Sequence, residues 1–303
     1  MKIGFILPLG EDTDLGRAPS WTEIRDLALQ AEAGGLDSVW VYDHLLYRFP
    51  ERDAMGVQEC WSVLSALAAT TERVELGTLV MPTSWRNPAL LAKMAVTVDG
   101  ISGGRLILGV GTGFHQPEFD AFGYPFDHRV DRFEEALQVI GPLLREGKVD
   151  FTGTYVSAPN CELRPAPTRK IPLLIACRGP RMLRLTAAHA DLWNMAWFGD
   201  VLALAPSRAD LETACAEVGR DPGTLGVTVG VHVALPEALD DAPNPDRVLT
   251  GTADEIAAGL RGYREAGVGH VICGALAATT HEYTSRVIAL VTEALAISRE
   301  QAG

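Results

Sequence analysis

The chain has 303 residues, 47% of them hydrophobic and 21% charged, with a formal net charge of -13. This is the composition of an ordinary soluble globular protein, and the length permits one large domain or two smaller ones. The acidic balance excludes bulk attraction to nucleic acid or to an anionic membrane surface, although a local basic cluster can still hold a phosphate.

In chain order, "MKIGFILPLG" is too short and too broken by Pro8 for a signal peptide, and Lys2–Pro8 reads as a first strand. Ser20 and Glu23 form a capping box for the first helix, which ends at Gly34-Gly35. "SVWVYDHLLY" (38–47) begins as a strand rich in β-branched and aromatic residues and ends in two ionisable side chains, Asp43 and His44. "CWSVLSALAATT" is the second helix, "RVELGTLVM" (73–81) the third strand, and Asn87-Pro88 caps and opens the third helix.

"GRLILGVGTG" (104–113) is a fourth strand with a glycine-rich exit, followed by a helix with Val130, Phe133, Leu137, Ile140 and Leu144 on one face. "KIPLLIAC" (170–177) is the fifth strand, with Gly179-Pro180 opening a helix, and "ADLWNMAW" the sixth. "LGVTVGVHVAL" (225–235) alternates as a seventh strand, Thr252 and Glu255 make a second capping box, "GHVICG" is the eighth strand, and 281–297 the last helix. Eight strands alternating with helices favour an α/β fold closed as a (β/α)8 TIM barrel over an open sheet. The pattern lapses at 9–19, 46–58, 114–128 and 148–169, which read as loop insertions. No repeat or low-complexity linker divides the chain, so 1–303 reads as a single domain.

The five cysteines, Cys60, Cys161, Cys177, Cys215 and Cys273, form no zinc spacing and no disulfide framework. A reduced, cytoplasmic setting follows. No apolar stretch approaches a membrane span, and the seven histidines show no metal-site spacing.

Barrel active sites lie at the strand C-termini, which is where Asp43 and His44 fall. An imidazole there can give or take a proton near neutral pH; the plainer alternative is a turn-capping Asp and a loop His. Gly109, Gly111 and Gly113 lack the dinucleotide spacing, and would admit either a flat ring or tight barrel packing. "IACRGPRML" runs a strand into Gly179 and Pro180, offering free helix N–H groups and the positive dipole end to a phosphate, with Arg178 and Arg181 nearby. Its alternative is an ordinary turn with solvated arginines. Trp85, Phe114, His115 and Phe119 either line an apolar substrate pocket or pin down their loops.

"VWVYDHL", "LGTLVMPTSWRNPALLAK", "GGRLILGVGTGFHQPEFDAFGYPF", "RVDRFEEAL" and "IPLLIACRGPRMLRLTAAHADLWN" together resemble the bacterial luciferase-like family, over most of residues 1–195 and more weakly beyond. That family contains flavin-dependent monooxygenases and oxidoreductases using the deazaflavin F420. The resemblance implies a barrel holding the ring at the strand C-termini, Asp43 contacting the ring system and His44 facing the substrate as acid or base. It implies a non-proline cis peptide between Leu79 and Val80 against the ring, and a phosphate site at Ala176, Cys177, Arg178, Gly179 and Pro180.

The chain departs from the F420-dependent sugar-phosphate dehydrogenases at Phe114-His115, where they carry a catalytic Glu, and at Arg48, where they carry a Trp. These departures count against a phosphorylated sugar, and an apolar, aromatic pocket suits a larger organic substrate better. The reading that follows is hydride exchange with F420. The close alternative is an FMN monooxygenase using O2 and a partner flavin reductase, and a more distant one is a flavin-binding barrel without turnover. Resemblance also implies a homodimer.

Overall fold

A computed structural model describes residues 1–12, 15–50, 53–198, 200–238, 247–276 and 280–300. Eight strands carry the architecture: β1 Lys2–Ile6, β2 Ser38–Val41, β3 Glu75–Thr78, β4 Leu106–Gly111, β5 Leu173–Ala176, β6 Leu192–Phe198, β7 Gly226–Val233 and β8 His270–Ala275. Every neighbouring pair in this series is parallel. The ring closes where β8 meets β1, with Lys2 opposite His270. The fold is therefore a closed (β/α)8 barrel, as the alternation of strands and helices suggests.

Around it lie α1 Trp21–Ala33, α2 Cys60–Thr70, α3 Pro88–Ile101, α4 Arg129–Glu146, α5 Pro180–His189, α6 Leu204–Glu217, α7 Ala253–Glu265 and α8 His281–Glu300. Both capping boxes form as expected, Ser20 with Glu23 and Thr252 with Glu255, and Asn87 caps α3 through the Leu90 amide. Between β6 and β7, Asp200 caps a 3-10 turn, Val201–Ala203, through the Leu202 amide. That turn runs into α6, whose own N-cap position, Ala203, offers no side-chain cap. No helix among the described residues is long and apolar enough to cross a membrane.

Alternation along the strands sorts the apolar side chains into two clusters. Val39, Val41, Leu106, Leu108, Ile175 and Val271 join the large core between strands and helices. Trp40, Ile107, Leu174 and Ile272, of opposite parity, form a smaller cluster inside the barrel. Trp40 is wholly buried and takes the space that a side chain at Gly77 would need, since a Cβ there would lie 2.1 Å from the indole.

The structure departs from the expected elements chiefly at the third strand. Instead of one run from 73 to 81, regular pairing covers Glu75–Thr78, a cis peptide joins Leu79 to Val80, and Met81–Pro82 resumes pairing with β4. The insertions have structure of their own: a small hairpin pairing Leu46–Tyr47 with Met55–Gly56, a short helix Gln116–Phe122, and an antiparallel hairpin of Lys148–Thr152 with Ser157–Glu162.

Candidate active site

At the C-terminal ends of the strands the barrel opens into a cavity of about 760 Å³, within the range of pockets that bury small organic ligands. Its wall runs from Asp43 and His44 after β2, past Leu79 and Val80 and Gly111 to Phe114, to Ala176 to Arg178 and Asn194 to Trp197.

Two buried carboxylates, each held by a paired side chain, build the β2 side. Asp43 is 1% exposed, and Arg86 grips it in a fork, Nη1 to Oδ2 at 2.5 Å and Nη2 to Oδ1 at 3.2 Å. The same Nη2 donates to Glu59 at 2.7 Å. Burial pushes the Asp43 carboxyl above its ordinary value while Arg86 pulls it back. Both oxygens are thus engaged by a planar donor with matching geometry, which makes Asp43 an anchor of the wall before it is anything else. His44 is paired in the opposite sense. Its Nδ1 lies 3.0 Å from Oε1 of Glu118, which is fully buried and also accepts the Leu45 amide through Oε2 at 2.9 Å. The imidazole is framed by Tyr47, with ring centroids 4.5 Å apart, and edge-on by Phe114 at 5.5 Å.

The β4 to β6 side is apolar and sparsely charged. A Cβ at Gly111 would lie 2.8 Å from Val80 Cγ2, so glycine there keeps the floor flat. Asn194, 1% exposed, donates Nδ2 to Thr228 Oγ1 at 2.8 Å and leaves Oδ1 without a partner. At the β5 turn, Gly179 (φ 85°) precedes α5 and no side chain caps the helix, so its first amides have no intrahelical acceptor. Arg178 stays beside the cavity, with Nη2 donating to the Ala196 carbonyl at 2.5 Å. Burial pushes the Cys177 thiol up to about 11, with Thr186 opposing, so it is protonated near neutrality and a poor nucleophile. A flat apolar face, a spare buried acceptor and a helix start suit a planar heteroaromatic ring with N–H donors and an anionic tail.

A profile of the luciferase-like monooxygenase family matches residues 1–244. The chain belongs to the luciferase-like monooxygenase family. This is a class of flavin- and F420-dependent oxidoreductases. The pyrimidine monooxygenase RutA of Enterobacter sp. (strain 638) is 31% identical over an aligned length of 247, and the alignment covers 74% of this chain and 65% of RutA. The match thus spans just under two thirds of that relative. Among solved structures, monooxygenase RslO1 from Streptomyces bottropensis superposes with a TM-score of 0.80 at 21% identity, covering 99% of this chain and 100% of that one. An F420-dependent secondary alcohol dehydrogenase, in complex with an F420-acetone adduct, gives 0.78 at 20% identity, covering 97% and 98%. At these identities the structural likeness is one of fold.

Within this luciferase-like barrel, the residues singled out from sequence fall into two groups. Asp43, His44, Leu79, Val80, Gly111, Gly113, Phe114, Ala176, Cys177 and Arg178 share the cavity wall. Gly109 lies deeper: a Cβ there would meet the Thr78 carbonyl at 1.9 Å, so its glycine serves strand packing. Gly179 and Pro180 form the helix start beside the cavity, and Arg181 points away to Asp131 and Glu134 at 2.6 and 2.7 Å.

Three of the four candidate pocket aromatics lie elsewhere, Phe119 being wholly buried against Trp85 and Phe126. Trp85 packs on Phe119 and Tyr124 and walls a separate cavity of about 280 Å³. His115 is 7% exposed and accepts the Arg48 amide through Nε2. Both pin loops, the commoner fate of such residues. Sequence reasoning missed Arg86, Glu118 and Asn194. All three lie within the motifs that carry the family resemblance. Glu118 looks in sequence like an ordinary acid in a first helical turn.

Proposed function

We propose that this luciferase-like protein exchanges a hydride between F420 and an apolar or aromatic organic substrate, with His44 as acid and base. The observation that carries the reading is His44 itself. It lines the cavity with Nδ1 on a buried carboxylate, and Nε2 has no protein partner among the described residues. Bound F420 would supply the hydride acceptor and donor. When substrate carbon gives up a hydride, the adjacent O–H must lose a proton, and a neutral imidazole at the cavity wall can take it. In the reverse direction the imidazolium returns it. Leu79, Val80 and Gly111 would flank the ring, Asn194 Oδ1 would accept from an N–H or O–H of the ligand, and the Ala176–Pro180 turn would hold the phosphate. The Asp43–Arg86 fork keeps the β2 and β3 ends together, so that His44 is presented at a fixed position.

A second reading is favoured by the RutA relative: an FMN monooxygenase that takes reduced FMN from a partner reductase and consumes O2. The wall residues named above serve either cofactor, so ligand binding separates the two readings. Titration of the purified apoprotein with F420 and with FMN, followed by fluorescence quenching, is expected to give micromolar F420 binding. Selective FMN binding with no F420 response overturns the first reading in favour of the second. Tight binding of either ring with no substrate-dependent redox change would leave only a flavin-binding barrel without turnover.

A further inference from the structure

Glu118 stands in the first turn of the seven-residue helix Gln116–Phe122, where an acid is ordinarily solvated, yet its side chain is fully buried. Taking a carboxylate out of water costs several kcal/mol unless donors surround it, so the donors around this one show what it is for. One is the Leu45 backbone amide at 2.9 Å; the other is His44 Nδ1 at 3.0 Å. An ionised carboxylate can only accept. Nδ1 therefore carries the hydrogen in this contact, and neutral His44 has its lone pair on Nε2. The amide bond to Leu45 fixes the carboxylate, and Tyr47 and Phe114 limit rotation of the imidazole.

We propose that Glu118 is the positioning residue of this site: it selects the Nδ1–H tautomer of His44 and aims Nε2 at the cavity. It acts only through His44 and does not touch substrate. The inference uses the His44 role proposed above, but the tautomer itself is a property of the protein without ligand.

The test is long-range ¹H–¹⁵N correlation on histidine-labelled full-length protein at a pH where His44 is neutral, with His44→Ala supplying the assignment. The expected wild-type signal is Nδ1 protonated and Nε2 bare. In Glu118→Ala the population shifts toward the Nε2–H form. A wild-type Nε2–H tautomer overturns the proposal, and so does an unchanged tautomer in Glu118→Ala. Should Glu118→Ala fail to fold, the wild-type tautomer decides alone, because it is read without any substitution. In turnover, Glu118→Gln is expected to lower kcat at least about tenfold with KM changed less than about threefold, as for loss of a group that orients a catalytic imidazole. The two ideas fail separately. Normal turnover by His44→Ala removes the proton-transfer role and leaves the tautomer assignment standing, whereas a wild-type Nε2–H signal does the reverse.

Discussion

Two histidines at opposite ends of the barrel strands show how location turns one side chain to different ends. His44 follows β2 at the open mouth, paired with Glu118 and touching the cavity. His270 begins β8 at the closed end, 5% exposed, with Nε2 2.8 Å from Ser38 Oγ. Trp40 Nε1 donates to that same oxygen at 2.7 Å. An indole N–H can only donate, so Ser38 Oγ accepts from Trp40, and its contact with His270 Nε2 ties the three side chains into one buried network. Burial, with Lys2 and the amino terminus adding to it, lowers His270 to about 3. His270 is thus a neutral, hydrogen-bonded side chain in a packed layer. A carboxylate partner and an opening to ligand distinguish His44, and residue type alone does not.

The contrast breaks first at His44. Its replacement by alanine is expected to lower kcat by about 10²- to 10⁴-fold, the usual worth of a general acid or base. Cofactor affinity should stay within a few-fold, because the ring contacts proposed above come from other strands. Retained turnover with an unchanged pH profile would put His44 in the same structural class as His270.

The next largest effect concerns the anchor beside it. Arg86→Ala strips both donors from buried Asp43, and breaking a buried pair by removing one partner costs about 3–5 kcal/mol. Urea denaturation of the apoprotein reads this directly. A loss below about 1 kcal/mol, the range of exposed pairs, would mean that water reaches Asp43 and that the mouth is looser than its hydrogen bonds imply.

His270 sets the third test, through pH. Its native value of about 3 lies below the ordinary 6.5, so between these values the unfolded chain binds a proton that the native state refuses. Stability is therefore full above about pH 6.5 and falls as pH drops toward 3. From pH 7 to pH 4 this one group accounts for a loss of about 3 kcal/mol. Other groups titrate in the same window, His232 among them, lowered by burial to about 4. The comparison is therefore with His270→Asn, which keeps a polar acceptor and removes the titration. Equal pH slopes in the two proteins would show that His270 is protonated in the native barrel.

Much of this was legible along the chain because the signals are local. Ser20 with Glu23, Asn87 with Pro88, and Gly179 with Pro180 each announce a helix start within a few residues, and Asp43-His44 declares itself by ending a buried strand. Arg86 and Glu118 could not be read from spacing, because they reach their partners across 43 and 74 residues. Closure of the barrel brings each pair together. Trp85 and His115 misled for a related reason: their loops lie on the active face, while their side chains turn under it. Gly109 and Gly111, two residues apart, divide likewise, one against the Thr78 carbonyl and one at the cavity floor.

The smallest predicted effect tests the mouth where it is most open. Phe114 is 72% exposed yet lines the cavity and meets His44 edge-on at 5.5 Å. Little of its area is buried by the protein, so Phe114→Ala should change stability by no more than about 0.5 kcal/mol, as exposed substitutions do. Its exposed face is apolar and adjoins His44, the proposed proton-transfer group, which is where an apolar substrate would regain that area. The variant is therefore expected to raise KM several-fold while changing kcat less. A fall in kcat with KM unchanged would instead make Phe114 part of the frame that holds the His44 ring, alongside Tyr47, and would move the substrate to another part of the wall.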